Sequence, residues 1–64
     1  MAIRSYLIRL RDECRAQEDL WMDRAWEELN ILASQRGAAR MMAIASLYAM
    51  RVQKINAVLE LEMD

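Results

Sequence analysis

The 64-residue sequence contains no proline, no histidine and no phenylalanine, and it has one glycine and one cysteine. Without histidine, a zinc site loses its usual ligands and a reactive cysteine loses its usual base. A phosphate-binding loop is excluded as well, because such loops need several glycines for close backbone approach. The single cysteine cannot build an internal disulfide framework. We therefore expect no catalysis, no bound metal and no cofactor or other small molecule.

Long hydrophobic runs are also missing. The longest weakly charged stretch, residues 41–50, is closed by Arg40 and Arg51. It is far shorter than the roughly 20 apolar residues that cross a bilayer. The first residues show no apolar segment followed by a small-residue cleavage site, so we expect no signal peptide. Together with the cysteine usage, this predicts a cytoplasmic protein without a membrane partner.

What the sequence does have is apolar spacing of helical period, in a composition that is 56% hydrophobic. This predicts one all-α domain over residues 1–64, an antiparallel two-helix hairpin. Its first helix spans about residues 3–35, its turn about 35–38 and its second helix about 38–61. We assign Gly37 to the turn, because glycine readily adopts the left-handed conformation that ends many helices.

The charge pattern favours a hairpin over one continuous helix. Net formal charge is +2 over residues 1–15, −4 over 16–35, +4 over 36–54 and −3 over 55–64. Folding the chain near Gly37 sets blocks of opposite sign side by side, which favours one register and orientation. The same blocks oppose both helix dipoles, so we expect contacts between helices to outweigh that local preference.

Each predicted helix carries an apolar stripe that we assign to the core of the hairpin or of a dimer. In the first helix the stripe contains Leu7, Leu10, Cys14, Trp21, Leu29 and Leu32. In the second helix it contains Met41, Ile44, Tyr48, Val52, Ile55 and Leu59. Further bulky side chains flank both stripes, and two helices cannot cover them. We therefore expect a homodimer that forms a four-helix bundle.

One flank of the first helix combines the residue types that are enriched in protein–protein interfaces. It carries Ile8, Arg11, Arg15, Met22 and Trp26. This indicates a non-catalytic module that binds another protein through an outer helix face, as an adaptor, inhibitor or regulator. Small plain proteins of this kind often come from phages or mobile elements, which is an analogy only.

Two other functions stay open. Doubled by a two-fold axis, Arg4, Arg11 and Arg15 of the same flank would form a phosphate-binding patch for a nucleic acid. In size and plan the expected dimer resembles Rop, the plasmid RNA-binding hairpin dimer, although no residue motif is shared. That resemblance implies a topology and supports RNA as the alternative partner. The third possibility is a structural subunit of a larger assembly.

Overall fold

The computed structural model describes residues 2–63, with side chains described for residues 3–61. Two α-helices, α1 over Ala2–Asn30 and α2 over Gln35–Met63, account for all regular structure in this range. They pack side by side into a body of 47 × 15 × 11 Å. Contacts of Arg11 with Asn56, and of Glu28 with Gly37, show that the helices are antiparallel. The predicted all-α helical hairpin is confirmed.

The position of the turn was predicted wrongly. The chain reverses over residues 31–34, so α1 ends at Asn30 and α2 already begins at Gln35. Gly37 lies inside the first turn of α2 and does not have a positive φ. The left-handed residue is instead Ala33, with φ of 55°.

Ser34 explains why α2 begins before the glycine. Its hydroxyl accepts a hydrogen bond from the backbone N–H of Gly37 at 3.0 Å. Its carbonyl accepts the N–H of Ala38 at 2.9 Å, which is the first hydrogen bond of the helix. Serine is among the best N-cap residues because it satisfies an N–H group that has no partner in the helix. The cap therefore sets the start of α2, and the glycine follows it.

The turn residues 31–34 also close the end of α1. The N–H groups of Ile31 and Leu32 both donate to the carbonyl of Glu27, at 2.9 and 3.1 Å. The N–H of Ser34 donates to the carbonyl of Glu28 at 2.7 Å. Terminal carbonyls of α1 thus gain partners within the turn. This wrapping requires Ala33 to be left-handed, which costs a residue with a Cβ about 1–2 kcal/mol.

Small side chains make up the core between the helices. The buried residues are Cys14 and Ala25 in α1 and Ala38, Ala45, Val52 and Leu59 in α2. Those of α2 recur every seven residues, the repeat of a helix that keeps one seam against its neighbour. Most other predicted core residues are half-buried beside this seam, namely Leu7, Leu10, Trp21, Met41, Ile44, Tyr48 and Ile55.

Two predicted core residues lie outside the hairpin core. Leu32 is 65% exposed because α1 has ended and residue 32 belongs to the turn. Leu29 is 45% exposed because it lies on the flank of α1 that carries Trp26, away from the buried seam. Their predicted place in the hairpin core is therefore wrong, and contact with a second copy stays a prediction.

The charge blocks lie side by side without direct pairing. Among residues 3–61, the only ion pair within 4 Å joins Arg11 to its neighbour Asp12, at 3.3 Å within α1. Exposed ion pairs contribute little to stability in any case. Oppositely charged blocks thus suit the antiparallel orientation, but packing holds the helices together.

Candidate protein-binding surface

An apolar hollow lies at the turn end of the hairpin, between the two helices. Met22, Trp26 and Leu29 of α1 and Met42 of α2 form its apolar lining. We call this set of four the turn-end hollow. Trp26 is 60% exposed, and the other three are between 43 and 45% exposed. The hollow has a volume of about 230 Å³.

Helix geometry assembles this site. Positions 22, 26 and 29 recur at steps of four and three, which places their side chains on one flank of α1. Below them Ala25 is buried, with 1% of its surface exposed. Its small side chain allows α2 to approach closely, and the antiparallel turn then brings Met42 against the same flank. The side-chain amide of Asn30 donates to the carbonyl of Trp26 at 3.0 Å and closes the end of α1.

The chemistry of the hollow is that of a docking surface for apolar side chains. Tryptophan offers a large rigid contact area, and two methionines offer flexible thioethers that adapt to irregular partners. Polar groups occur at the rim, where Asp23 and Asn30 line the hollow. An apolar centre with a polar rim is the usual anatomy of a protein–protein interface.

The five predicted partner-binding residues do not come together in one place. Met22 and Trp26 both belong to the turn-end hollow. Ile8 lines a separate shallow depression with Arg9 and Asp12. It is about 27 Å along α1 from Trp26, at the helical rise of about 1.5 Å per residue. Arg15 is exposed and lines neither hollow.

Arg11 is engaged within the chain. Its guanidinium donates to Oδ1 of Asn56 across the helix pair at 3.4 Å and pairs with Asp12 at 3.3 Å. Its side chain is only 25% exposed. Binding of a partner by Arg11 stays a prediction, and any such contact would have to replace these intrachain ones.

Sequence reasoning missed two members of the hollow. Leu29 follows Met22 by seven residues, so helical spacing alone would have placed it on the same flank. Met42 carried no such signal. It lies on the other helix, and its alignment with Trp26 depends on where the turn is.

The opposite side of the hairpin carries two arginines stacked on aromatic rings. The guanidinium carbon of Arg24 lies 5.0 Å from the ring centroid of Trp21, and that of Arg51 lies 5.3 Å from Tyr48. Both distances suit a cation–π interaction. The indole N–H of Trp21 is buried and has no hydrogen-bond partner in the hairpin. Each of these arginines thus already has a partner on its own helix, whereas the indole N–H of Trp21 donates no hydrogen bond.

The side chains described in α1 and α2 include no group of three Cys, Asp or Glu that could hold a metal ion. Within residues 2–63, neither helix is both long and apolar enough to cross a membrane. Comparison of this chain with protein-family models, with curated proteins and with solved structures finds no match.

Proposed function

We propose that this protein is a small non-catalytic protein-binding module, an adaptor or regulator that holds another protein through the turn-end hollow. The observation that carries the proposal is the 60% exposure of Trp26 beside Met22, Leu29 and Met42. A single exposed apolar side chain is ordinary, but a contiguous group is typical of an interaction site. Tryptophan and methionine are also among the residues enriched in interfaces. The setting we propose is the cytoplasm.

We further propose that the working unit is a homodimer of four helices. Among the described residues no large side chain is fully buried. Only a small side chain such as that of Ala25 has less than 2% of its surface exposed. The hairpin exposes 5139 Å². A compact monomer of its 7.5 kDa mass would expose about 4,200 Å². The difference is close to the roughly 800 Å² that each partner buries in a standard interface.

The arginine-rich flank supports a nucleic-acid partner less well. Its predicted patch includes Arg11, whose guanidinium is held by Asp12 and Asn56. A phosphate would have to compete with both groups. Binding of RNA therefore remains an alternative to be measured, and steep salt dependence would be its signature.

Affinity purification from the native cell tests the binding proposal with two matched variants. Trp26→Ala removes the centre of the hollow, whereas Tyr6→Ala removes an aromatic that is equally exposed, at 62%, on another side of α1. We expect a partner that wild type and Tyr6→Ala retain and that Trp26→Ala loses. The partner is then purified, and its affinity for each variant is measured directly.

A truncation from tryptophan at the centre of an interface typically weakens binding by 2 kcal/mol or more, about 30-fold. Circular dichroism verifies that both variants keep their helices. A partner that binds wild type and Trp26→Ala with equal affinity would rule out the hollow as its site.

Sedimentation equilibrium tests the dimer, for which we expect twice the 7.5 kDa chain mass. A folded monomer at all concentrations would rule it out.

A further inference from the structure

We propose that the outer face of α2 is the docking surface for a second copy of this chain, and that the two α2 helices pack antiparallel. This inference rests on the homodimer proposed above and names the surface that forms it. The surface is a stripe that we call the outer stripe. It consists of Ala43, Leu47, Met50, Lys54, Ala57 and Leu61, all of which are exposed in the hairpin.

The outer stripe has the spacing of a helix–helix contact. Its members follow one another at steps of four and three residues, the pattern of a coiled-coil seam. Met50 precedes the buried Val52 by two residues, which places it about 200° around the helix from Val52. The helix α1 therefore cannot cover it. Leu47, Met50 and Leu61 are consequently 58, 52 and 76% exposed.

The corresponding outer face of α1 is different in character. It carries Asp12, Asp19, Asp23 and Glu27, all exposed. A carboxylate-rich face is stable in water and gains nothing from burial. A helix that is apolar on two opposite sides is typical of the interior of an assembly, whereas a helix with one polar face is typical of its exterior. This places the two α2 helices at the centre of the dimer and the two α1 helices outside, in a row of four helices rather than in the four-helix bundle that the sequence predicts.

The stripe is complementary to itself when reversed. An antiparallel alignment centred between Met50 and Lys54 sets Ala43 against Leu61 of the partner subunit. The same alignment sets Leu47 against Ala57 of the partner subunit. Every small residue then meets a large one, as close packing requires. Each contact occurs twice, as in any two-fold interface.

Charge favours the same orientation. In the antiparallel pair, Lys54 lies beside Met50 of the partner subunit, and its ammonium group can reach solvent while its stem packs on the thioether. The same alignment places Arg40, at the basic start of α2, about one helical turn from the level of Glu60 of the partner subunit. A parallel pair would instead set Lys54 against Lys54 of the partner subunit. A second copy always carries the order of sizes and charges that matches this stripe in reverse. A foreign helix would match it only by coincidence.

Sedimentation equilibrium on three variants tests the proposal. Leu47→Glu places a carboxylate inside the contact, and we expect the dimer dissociation constant to rise at least tenfold. Leu20→Glu makes the same change at an exposed leucine of α1 and should leave that constant within a factor of about two. Leu47→Glu combined with Ala57→Lys should recover the dimer, because the introduced carboxylate then faces the partner's introduced ammonium.

The outcomes separate this inference from the one beneath it. A monomeric wild-type chain overturns both the dimer and its surface. A wild-type dimer that Leu47→Glu leaves intact overturns the outer stripe but not the dimer. Loss of the dimer in Leu47→Glu without recovery in the double variant overturns the antiparallel pairing. Circular dichroism measures the helicity of each variant. If Leu47→Glu unfolds because it cannot dimerise, adding Ala57→Lys should restore the helicity together with the dimer.

Discussion

The hydroxyl of Ser34 accepts a hydrogen bond from the backbone N–H of Gly37 at 3.0 Å, and this bond marks the start of α2. The absence of a side chain at residue 37 lets the Glu28 carboxylate approach the backbone closely, and it is not required by a turn. A Cβ there would lie 2.6 Å from Oε2 of Glu28 and 2.9 Å from the Ser34 hydroxyl. The carboxylate of Glu28 thereby sits at the positive end of the α2 dipole, so α1 supplies the negative charge that the first turn of α2 lacks.

Removing the cap should destabilise the hairpin. Ser34→Ala leaves the N–H of Gly37 without its partner, and we expect the free energy of unfolding to fall by about 1 kcal/mol. Urea unfolding at fixed protein concentration measures the change. Ser46→Ala is the matched control, because Ser46 is exposed in the middle of α2, where alanine is a better helix former. Equal effects of the two substitutions would contradict the capping role of Ser34.

The left-handed turn residue should prefer glycine. Ala33 has φ of 55°, where a Cβ is unfavourable, so Ala33→Gly should raise the free energy of unfolding by about 1 kcal/mol. The same substitution at Ala39, exposed within α2, should lower it by about 1 kcal/mol because glycine is a poor helix former. Thermal unfolding of the two variants should thus move in opposite directions. Destabilisation by both would show that residue 33 is not left-handed in solution.

The natural glycine should be replaceable. Alanine at position 37 gains about 1 kcal/mol of helix propensity but displaces the Glu28 carboxylate, a favourable charge at the helix start worth about 0.3–1 kcal/mol. We expect the net change in the free energy of unfolding to stay below about 1 kcal/mol. A Glu28→Ala background removes the crowding by the carboxylate, but a Cβ at residue 37 would still lie 2.9 Å from the Ser34 hydroxyl. We therefore expect Gly37→Ala to be more favourable in that background than in the wild-type chain. If Gly37→Ala lowered the free energy of unfolding by more than about 2 kcal/mol in both backgrounds, residue 37 would belong to the turn after all.

The buried thiol of Cys14 should respond to polarity more than to volume. Cys14 is 5% exposed between the helices. Cys14→Ser keeps the volume but buries a hydroxyl, at a cost of about 1–3 kcal/mol unless it finds a hydrogen bond. Cys14→Ala leaves a small cavity but no polar group, and we expect it to cost less than Cys14→Ser. Chemical denaturation ranks the two, and the reverse order would mean that water reaches this site.

Some of the structure followed from local properties of the chain. The lack of proline, the helical spacing of apolar residues and the alternating charge blocks predicted two antiparallel helices. The place of Val52 and Leu59 in the seam was predicted as well, because a repeat of seven on a helix defines one face regardless of what it contacts. Met22 and Trp26 were placed on one flank for the same reason. The predicted dimer and the binding function rest on the same patterns and stay predictions.

The turn could not be assigned locally, because the competing preferences are of equal size. A glycine that ends a helix and a serine that begins one are each worth about 1 kcal/mol. Tertiary packing separates them. A turn at residues 31–34 keeps Ala38 inside α2, where it is 3% exposed and adds one more layer to the repeat of Ala45, Val52 and Leu59.

The sequence by itself determined the type of each element, its buried face and its orientation, since periodicity and charge act over short distances along the chain. Only the tertiary structure decided the register between the helices, because register depends on how small residues such as Ala25 and Ala38 fit across the pair. That register brings Met42 to Trp26 and so creates the turn-end hollow. The candidate site is thus a product of packing, while the helices that carry it follow from the order of residues.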